Sequence, residues 1–189
     1  MQTSEYTLPA FESITGGWCL LVGKSSDINT GLLMAIGRLP VPAAATAEQE
    51  GIRVLDGGNR FNAYTVARAA HGRQEVLNRI KVSRAFTCHQ MLALLEATPN
   101  QAGYFVVLDM LRTFYDESVP AGERKRLLRT CITQIQRIGK ATSGLVSVYL
   151  PSVVSPSAVE LLEMLKKAAP ATIFVMEEPQ APQAPRLFQ

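Results

Sequence analysis

Cysteine is scarce in this 189-residue chain. There are three, Cys19, Cys88 and Cys131, widely spaced and odd in number. No C-x-x-C pair occurs, so neither a zinc site nor a dithiol redox motif is indicated. Cys88 adjoins His89, but two neighbours cannot supply the four ligands of a tetrahedral zinc, and His71 is the only other histidine. Reduced, mostly buried thiols in a cytoplasmic protein are expected (nucleoid-associated, or nuclear in a eukaryote). Long apolar runs are also missing. No stretch of about 18 apolar residues exists, so neither a membrane span nor a membrane partner is expected. The opening MQTSEYTLPAFES lacks a basic n-region and a long apolar core, so it is not read as a secretory signal.

What is present is ordinary globular composition. Hydrophobic residues make up 47% and charged residues 19%, which excludes wholesale disorder. The length suits one domain with a core that needs no cross-links. A formal charge of +3 is too small to imply an anionic partner by itself.

Short apolar runs predict buried strands at Trp18–Val22, Ile52–Leu55, Ile80–Val82, Tyr104–Leu108, Leu145–Leu150 and Thr172–Met176. They do not alternate strictly, which suits strands covered on both faces. Helical patterns lie between them, at Thr30–Gly37, Ala63–Ala70, Thr87–Ala97, Glu123–Ile138 and Ser157–Ala168, the last with Ser157 as the expected N-cap. Strand followed by helix, repeated, predicts an α/β fold with a mainly parallel sheet flanked by helices. Residues 1–176 are read as a single domain. Leu39–Gly51, rich in Pro and Ala, is read as a loop, and Glu177–Gln189, with three prolines, as a flexible tail.

The first strand runs into Gly23-Lys24-Ser25-Ser26-Asp27-Ile28-Asn29-Thr30 and then a helix. A phosphate-binding loop has the form G-x-x-x-x-G-K-[ST] in that position. Gly23 and Thr30 fit. The second glycine is Ile28, a β-branched residue that resists the positive φ and the close backbone approach a phosphate cradle needs. The lysine is Asn29, which has no charge to give to β- and γ-phosphates. Asp27 adds a negative charge inside the loop. Phosphate binding in the usual mode is therefore expected to be severely weakened.

Downstream come Arg53-Val54-Leu55-Asp56-Gly57-Gly58-Asn59-Arg60-Phe61, then Val82-Ser83-Arg84-Ala85-Phe86-Thr87-Cys88-His89-Gln90-Met91, then Phe105-Val106-Val107-Leu108-Asp109. In this order, from about Phe11 to Met176, the chain resembles the core ATPase domain of the RecA/RadA recombinase superfamily. It looks closest to the archaeal and eukaryotic strand-exchange branch and its paralogues. The resemblance implies a RecA-like P-loop NTPase-type fold. It implies that Asp109 matches the Walker B aspartate, which helps to hold magnesium in that family. The family's catalytic glutamate falls at Gly58, where no carboxylate remains to activate water. With Ile28, Asn29 and Gly58 in place, the expectation is a pseudo-ATPase without ATP or magnesium as cofactor and without catalytic residues. Asp109 is then a structural remnant bonded to Thr30 or nearby backbone. The family's F-x-x-A polymerisation motif is not identifiable, and no helical domain precedes the core as read, so docking on one partner is expected rather than autonomous filaments.

Positive charge concentrates in Arg124–Lys140, which holds Arg124, Lys125, Arg126, Arg129, Arg137 and Lys140 and no acid. With an apolar face formed by Leu128, Cys131, Ile132 and Ile135, this reads either as a stripe for phosphates or as a solvated amphipathic helix. The regions matching the family's two DNA-facing loops, Tyr115–Gly122 and Pro151–Pro156, carry little positive charge. DNA contact would therefore lean on Arg112, on the basic helix or on a partner. The leading expectation is a non-catalytic recombinase paralogue assisting DNA recombination or repair. Its partner would be another RecA-like recombinase or paralogue, or a second copy of itself, with single- or double-stranded DNA as a further ligand. The alternatives are an atypical NTPase or nucleotide sensor using Lys24, Ser25 and Thr30, and a RecA-fold scaffold or regulator with no DNA role.

Overall fold

The structure is a computed structural model. It describes residues 17–23, 27–40, 51–100, 103–150 and 155–175. The strands are β1 (Gly17–Gly23), β2 (Ile52–Asp56), β3 (Ile80–Arg84), β4 (Tyr104–Leu108), β5 (Ser143–Tyr149) and β6 (Ala171–Val175). The helices are α1 (Asp27–Arg38), α2 (Ala63–Ala70), α3 (Gln74–Leu77), α4 (Cys88–Ala97), α5 (Ala121–Gly139) and α6 (Pro156–Ala168). A 3₁₀ segment, Met110–Phe114, follows β4.

All six strands are parallel, in the order β3-β2-β4-β5-β1-β6. The fold is thus α/β with a parallel central sheet flanked by helices. The absence of strict alternation follows from this. In β1, β4 and β5 nearly every residue is buried, because helices cover both faces. The edge strand β3 exposes most of its residues.

Two apolar clusters fill the layers. On one face Ile28, Leu32 and Ile36 of α1 meet Val66 of α2 and Val76 of α3 over Val54, Val106 and Leu145 of the sheet. On the other, Met91 and Leu95 of α4, Leu128, Cys131 and Ile135 of α5 and Leu161 and Leu165 of α6 meet Leu20, Phe105 and Val146. The chain therefore leaves β1 and β2 toward one face and leaves β3, β4 and β5 toward the other. In the middle of the sheet Phe105 is paired in register with Gly144. A Cβ at residue 144 would fall 1.9 Å from the Phe105 ring, so the glycine makes room for an aromatic side chain that is 1% exposed.

Local signals set most element ends. The Asn62 side chain accepts from the N–H groups of Tyr64 and Thr65 at 3.0 and 3.2 Å and starts α2. Thr87 Oγ1 accepts from Gln90 N–H and starts α4. The N-cap of α6 is Ser155, not Ser157. Its Oγ accepts from Ala158 N–H at 3.2 Å, and Pro156 occupies the first helical position, where a missing N–H costs nothing. The 3₁₀ segment and the single turn α3 are additions to the predicted elements. Most of the Leu39–Gly51 loop and the whole Glu177–Gln189 segment lie outside the described residues. No helix among the described residues is long and apolar enough to cross a membrane.

Candidate functional site

The carboxyl ends of parallel strands are where loops from different crossovers converge. Here β2 ends in Asp56 and β4 is followed by Asp109. The strands are neighbours, so two acids stand side by side at the same edge of the sheet.

Asp56 is completely buried and organises its own loop. Its Oδ1 accepts from the N–H groups of Gly58 (3.3 Å) and Arg60 (2.8 Å), and its Oδ2 from that of Phe61 (3.0 Å). The Arg84 guanidinium at the end of β3 supplies the counter-charge, with Nε 3.4 Å from Oδ2. A carboxylate so fully used closes the loop 57–61 into a tight turn and has no lone pair left for a ligand.

Asp109 is 1% exposed and sits in the left-handed region at φ +50°, a conformation that Asp tolerates better than most residues. Its Oδ1 accepts from Tyr149 N–H at 3.2 Å and its Oδ2 from Arg60 Nε at 3.3 Å. The Arg60 guanidinium also lies 5.0 Å over the Tyr149 ring. Burial raises the Asp109 carboxyl above the usual range, and the Tyr149 N–H and Arg60 pull it part of the way back. Thr30 is exposed on α1, and neither Asp109 oxygen bonds it.

A polar chain ties this acid to α1. Asp109 N–H donates to Ser147 Oγ at 3.0 Å. The Ser147 hydroxyl donates to Asn29 Oδ1 at 3.3 Å, with the Val107 carbonyl 3.4 Å away as an alternative acceptor. Asn29 is only 6% exposed, so its side chain serves the sheet. Ile28, next to it, is 3% exposed and packs into the α1–α2 cluster. The core thereby accommodates a β-branched residue at this position. Gly23 ends β1, and its carbonyl accepts from Leu150 N–H at 2.8 Å. Lys24 and Ser25 lie outside the described residues.

Gly58 is packed directly on Asp109. A Cβ there would fall 2.5 Å from Asp109 Oδ2 and 2.6 Å from Asp109 Cβ. No side chain, glutamate included, fits that position with the loop as it stands. A magnesium nucleotide of the kind the family resemblance implies does not fit these residues. The acid that would face the metal is already bonded on both oxygens, and one of its partners is a cation. Among the described residues no group of three His, Cys, Asp or Glu is arranged to hold a metal ion.

The basic residues of α5 are distributed differently from a phosphate-binding stripe. Arg124 is 7% exposed, and its guanidinium donates to the Phe114 carbonyl at 3.1 Å. Arg137 donates to the carbonyls of Leu95 (3.0 Å) and Thr98 (2.8 Å), to Gln134, and to Asn100, which closes the carboxyl end of α4. Lys125 pairs with Glu160 at 2.6 Å, and Arg126 with Glu123 through two bonds of 2.6 and 2.9 Å. Arg129 and Lys140 are exposed. Arg112 is exposed too, but at the other site, in the 3₁₀ segment after β4.

Sequence reasoning passed over Arg60, Ser147 and Tyr149. Arg60 follows a Gly-Gly-Asn turn and looks like a loop cation. Its partner lies 49 residues further on, and no short-range signal connects them. Comparison with protein-family models and with curated proteins gives no match for this chain.

Proposed function

We propose that this chain is a RecA-like protein that has lost ATP chemistry and acts as a non-catalytic accessory in DNA recombination or repair, through a partner recombinase or paralogue and through DNA. The observation that carries the reading is the Arg60–Asp109 pair. At the acid expected to face magnesium, the chain supplies a guanidinium of its own, and Gly58 closes against the same carboxylate. The sheet order supports the reading, because β5 separates the loop-bearing strand β1 from the acid-bearing strand β4, and β2 flanks β4 on its far side. The fate of Ile28 and Asn29, one in the core and the other bonded to Ser147, agrees with a site rebuilt for structure.

Calorimetry with Mg-ATP, together with a phosphate-release assay, tests the catalytic half. The expected result is no heat at millimolar nucleotide and no turnover. A Kd below about 100 μM, roughly 5.5 kcal/mol, would turn the reading toward a nucleotide sensor or atypical NTPase. Fluorescence anisotropy with labelled single- and double-stranded DNA, at low and physiological salt, tests the other half. Salt-sensitive binding that weakens on Arg112→Gln or Arg129→Ala is expected. The engagement of Arg124, Lys125, Arg126 and Arg137 within the fold favours, as the second reading, a scaffold with no DNA role. Absence of any DNA affinity would select it.

A further inference from the structure

The loops after β2, β3 and β4 enclose a cleft of about 460 Å³, lined by Asp56–Asn59, Arg84–Phe86, Arg112, Thr113, Tyr115 and Asp116. Its place follows from the topology. The chain leaves β2 toward the α1–α3 face, whereas it leaves β3 and β4 toward the α4–α6 face, so the connections part and the sheet edge opens between them. Ligands of open parallel sheets bind at such divergences, and the volume falls in the range of roughly 300–1,000 Å³ typical of small-molecule sites.

The lining has unused binding capacity of two kinds. Arg84 engages Asp56 through Nε, yet its side chain is 46% exposed, which leaves its terminal nitrogens room for an acceptor. Arg112 is exposed, and its guanidinium, which lies within electrostatic reach of Asp109, has no hydrogen-bond acceptor among the described residues. Beside these cations Phe86 stands 74% exposed, an apolar ring that the core does not use. Two acids also line the cleft. Asp56 is consumed by its three N–H bonds and Arg84. Asp116 is exposed and holds the Ser118 N–H at 2.9 Å, and it bounds the space open to an anion.

We propose that this cleft binds a ring-bearing phosphate. An aromatic base or ring would lie on Phe86, and its phosphate would be received by Arg84 and Arg112. A free nucleoside monophosphate and a nucleotide unit within a single strand share this chemistry. None of its described lining residues belongs to β1 or α1, the proposed binding needs no metal ion, and it does not rest on the reading of the chain as a non-catalytic protein.

The test is calorimetry on the full chain in the absence of magnesium, with inorganic phosphate, adenosine monophosphate and a short oligothymidylate as probes. The monophosphate is expected to bind at least about tenfold more tightly than inorganic phosphate, in line with the worth of base–aromatic stacking. Phe86→Ala is expected to cancel that advantage, and Arg112→Gln to weaken every probe. Both side chains are exposed, so circular dichroism should report an unchanged fold. An oligonucleotide that binds more tightly than the monophosphate identifies the strand as the source, and the reverse order identifies the free nucleotide. No heat from any probe at millimolar concentration overturns the proposal. So does binding that either substitution leaves unchanged. A parallel titration with Mg-ATP keeps the two readings apart: nucleotide binding that appears only with magnesium counts against the non-catalytic reading, whereas the cleft is judged by the magnesium-free titrations alone.

Discussion

Gly58 and Asp109 touch so closely that no side chain can stand between them: a Cβ on residue 58 would lie 2.5 Å from Asp109 Oδ2. Gly58→Ala must therefore move the loop or the acid, and Asp109 is held by both of its oxygens. A loss of about 2 kcal/mol is expected, within the range of roughly 1–3 kcal/mol for overpacking a tight site. Urea unfolding of the variant measures it. Gly58→Glu, which places a glutamate at the position the family resemblance marks as catalytic, is expected to lose at least as much stability and to gain no ATP hydrolysis.

Arg60 forms an ion pair with a carboxylate that is 2% exposed. Removing one member of a fully buried pair costs roughly 3–5 kcal/mol. Arg60 itself is 35% exposed, so water screens part of that interaction, and Arg60→Met is expected to cost about 2 kcal/mol. The same substitution removes the cation over the Tyr149 ring. Thermal unfolding monitored by near-ultraviolet circular dichroism reads the stability and the aromatic environment together. A variant as stable as wild type would mean that the pair contributes nothing.

The arginines of α5 should separate into two groups. Arg124→Ala leaves the Phe114 carbonyl without its partner, and Arg137→Ala releases the carbonyls that end α4. Each is expected to cost about 1–3 kcal/mol, the usual penalty for orphaning a buried polar group. Arg129→Ala should fall within about 0.5 kcal/mol of wild type, as surface changes do. Differential scanning calorimetry of the three variants distinguishes a structural row of arginines from a free one.

Asp109 carries a pH dependence of defined sign. Its folded carboxyl is raised above the ordinary value of 3.8 by burial, so the native state binds a proton more readily than the unfolded chain does. Stability then falls as pH rises from 3.8 through the folded value, because ionising the buried acid costs more than ionising it in water. Glu123 and Asp116, lowered by Arg126 and by Ser118, act in the opposite sense and lose their contribution on acidification. The Asp109 contribution is isolated by comparing wild type with Asp109→Asn in urea unfolding between about pH 4 and pH 7. Wild type should decline relative to the variant as pH rises. A rise instead would show that the Arg60 pairing outweighs desolvation.

Much of the architecture was legible in the chain. Trp18–Val22 and Tyr104–Leu108 are continuous apolar runs because both faces of the sheet are covered, and that lack of alternation already implied parallel strands between helices. Leu32 and Ile36, or Leu128, Cys131 and Ile135, repeat at the spacing of one helix face and lie where that spacing requires. The end of α6 that begins at Ser155 was misread by two residues, because Pro156 after the cap is a stronger local signal than a second serine. The 3₁₀ segment after Asp109 was not legible. Its start depends on a left-handed aspartate held by β5 and by the β2 loop.

By itself, the sequence determined the alternation of strand and helix, the burial of the strands and the departure of Ile28 and Asn29 from the G-K pair of a phosphate-binding loop, since these depend on residue type and short-range spacing. The tertiary structure alone decided what the charged residues do. A run of five cations in one helix reads as a binding face until Glu160, Phe114 and the end of α4 are brought against it. An arginine in a glycine-rich loop reads as solvated until folding places Asp109 beside it. Charge acts through space on whatever neighbours the chain assembles, and those neighbours, unlike a hydrophobic period, are not written within a few residues of the group they control.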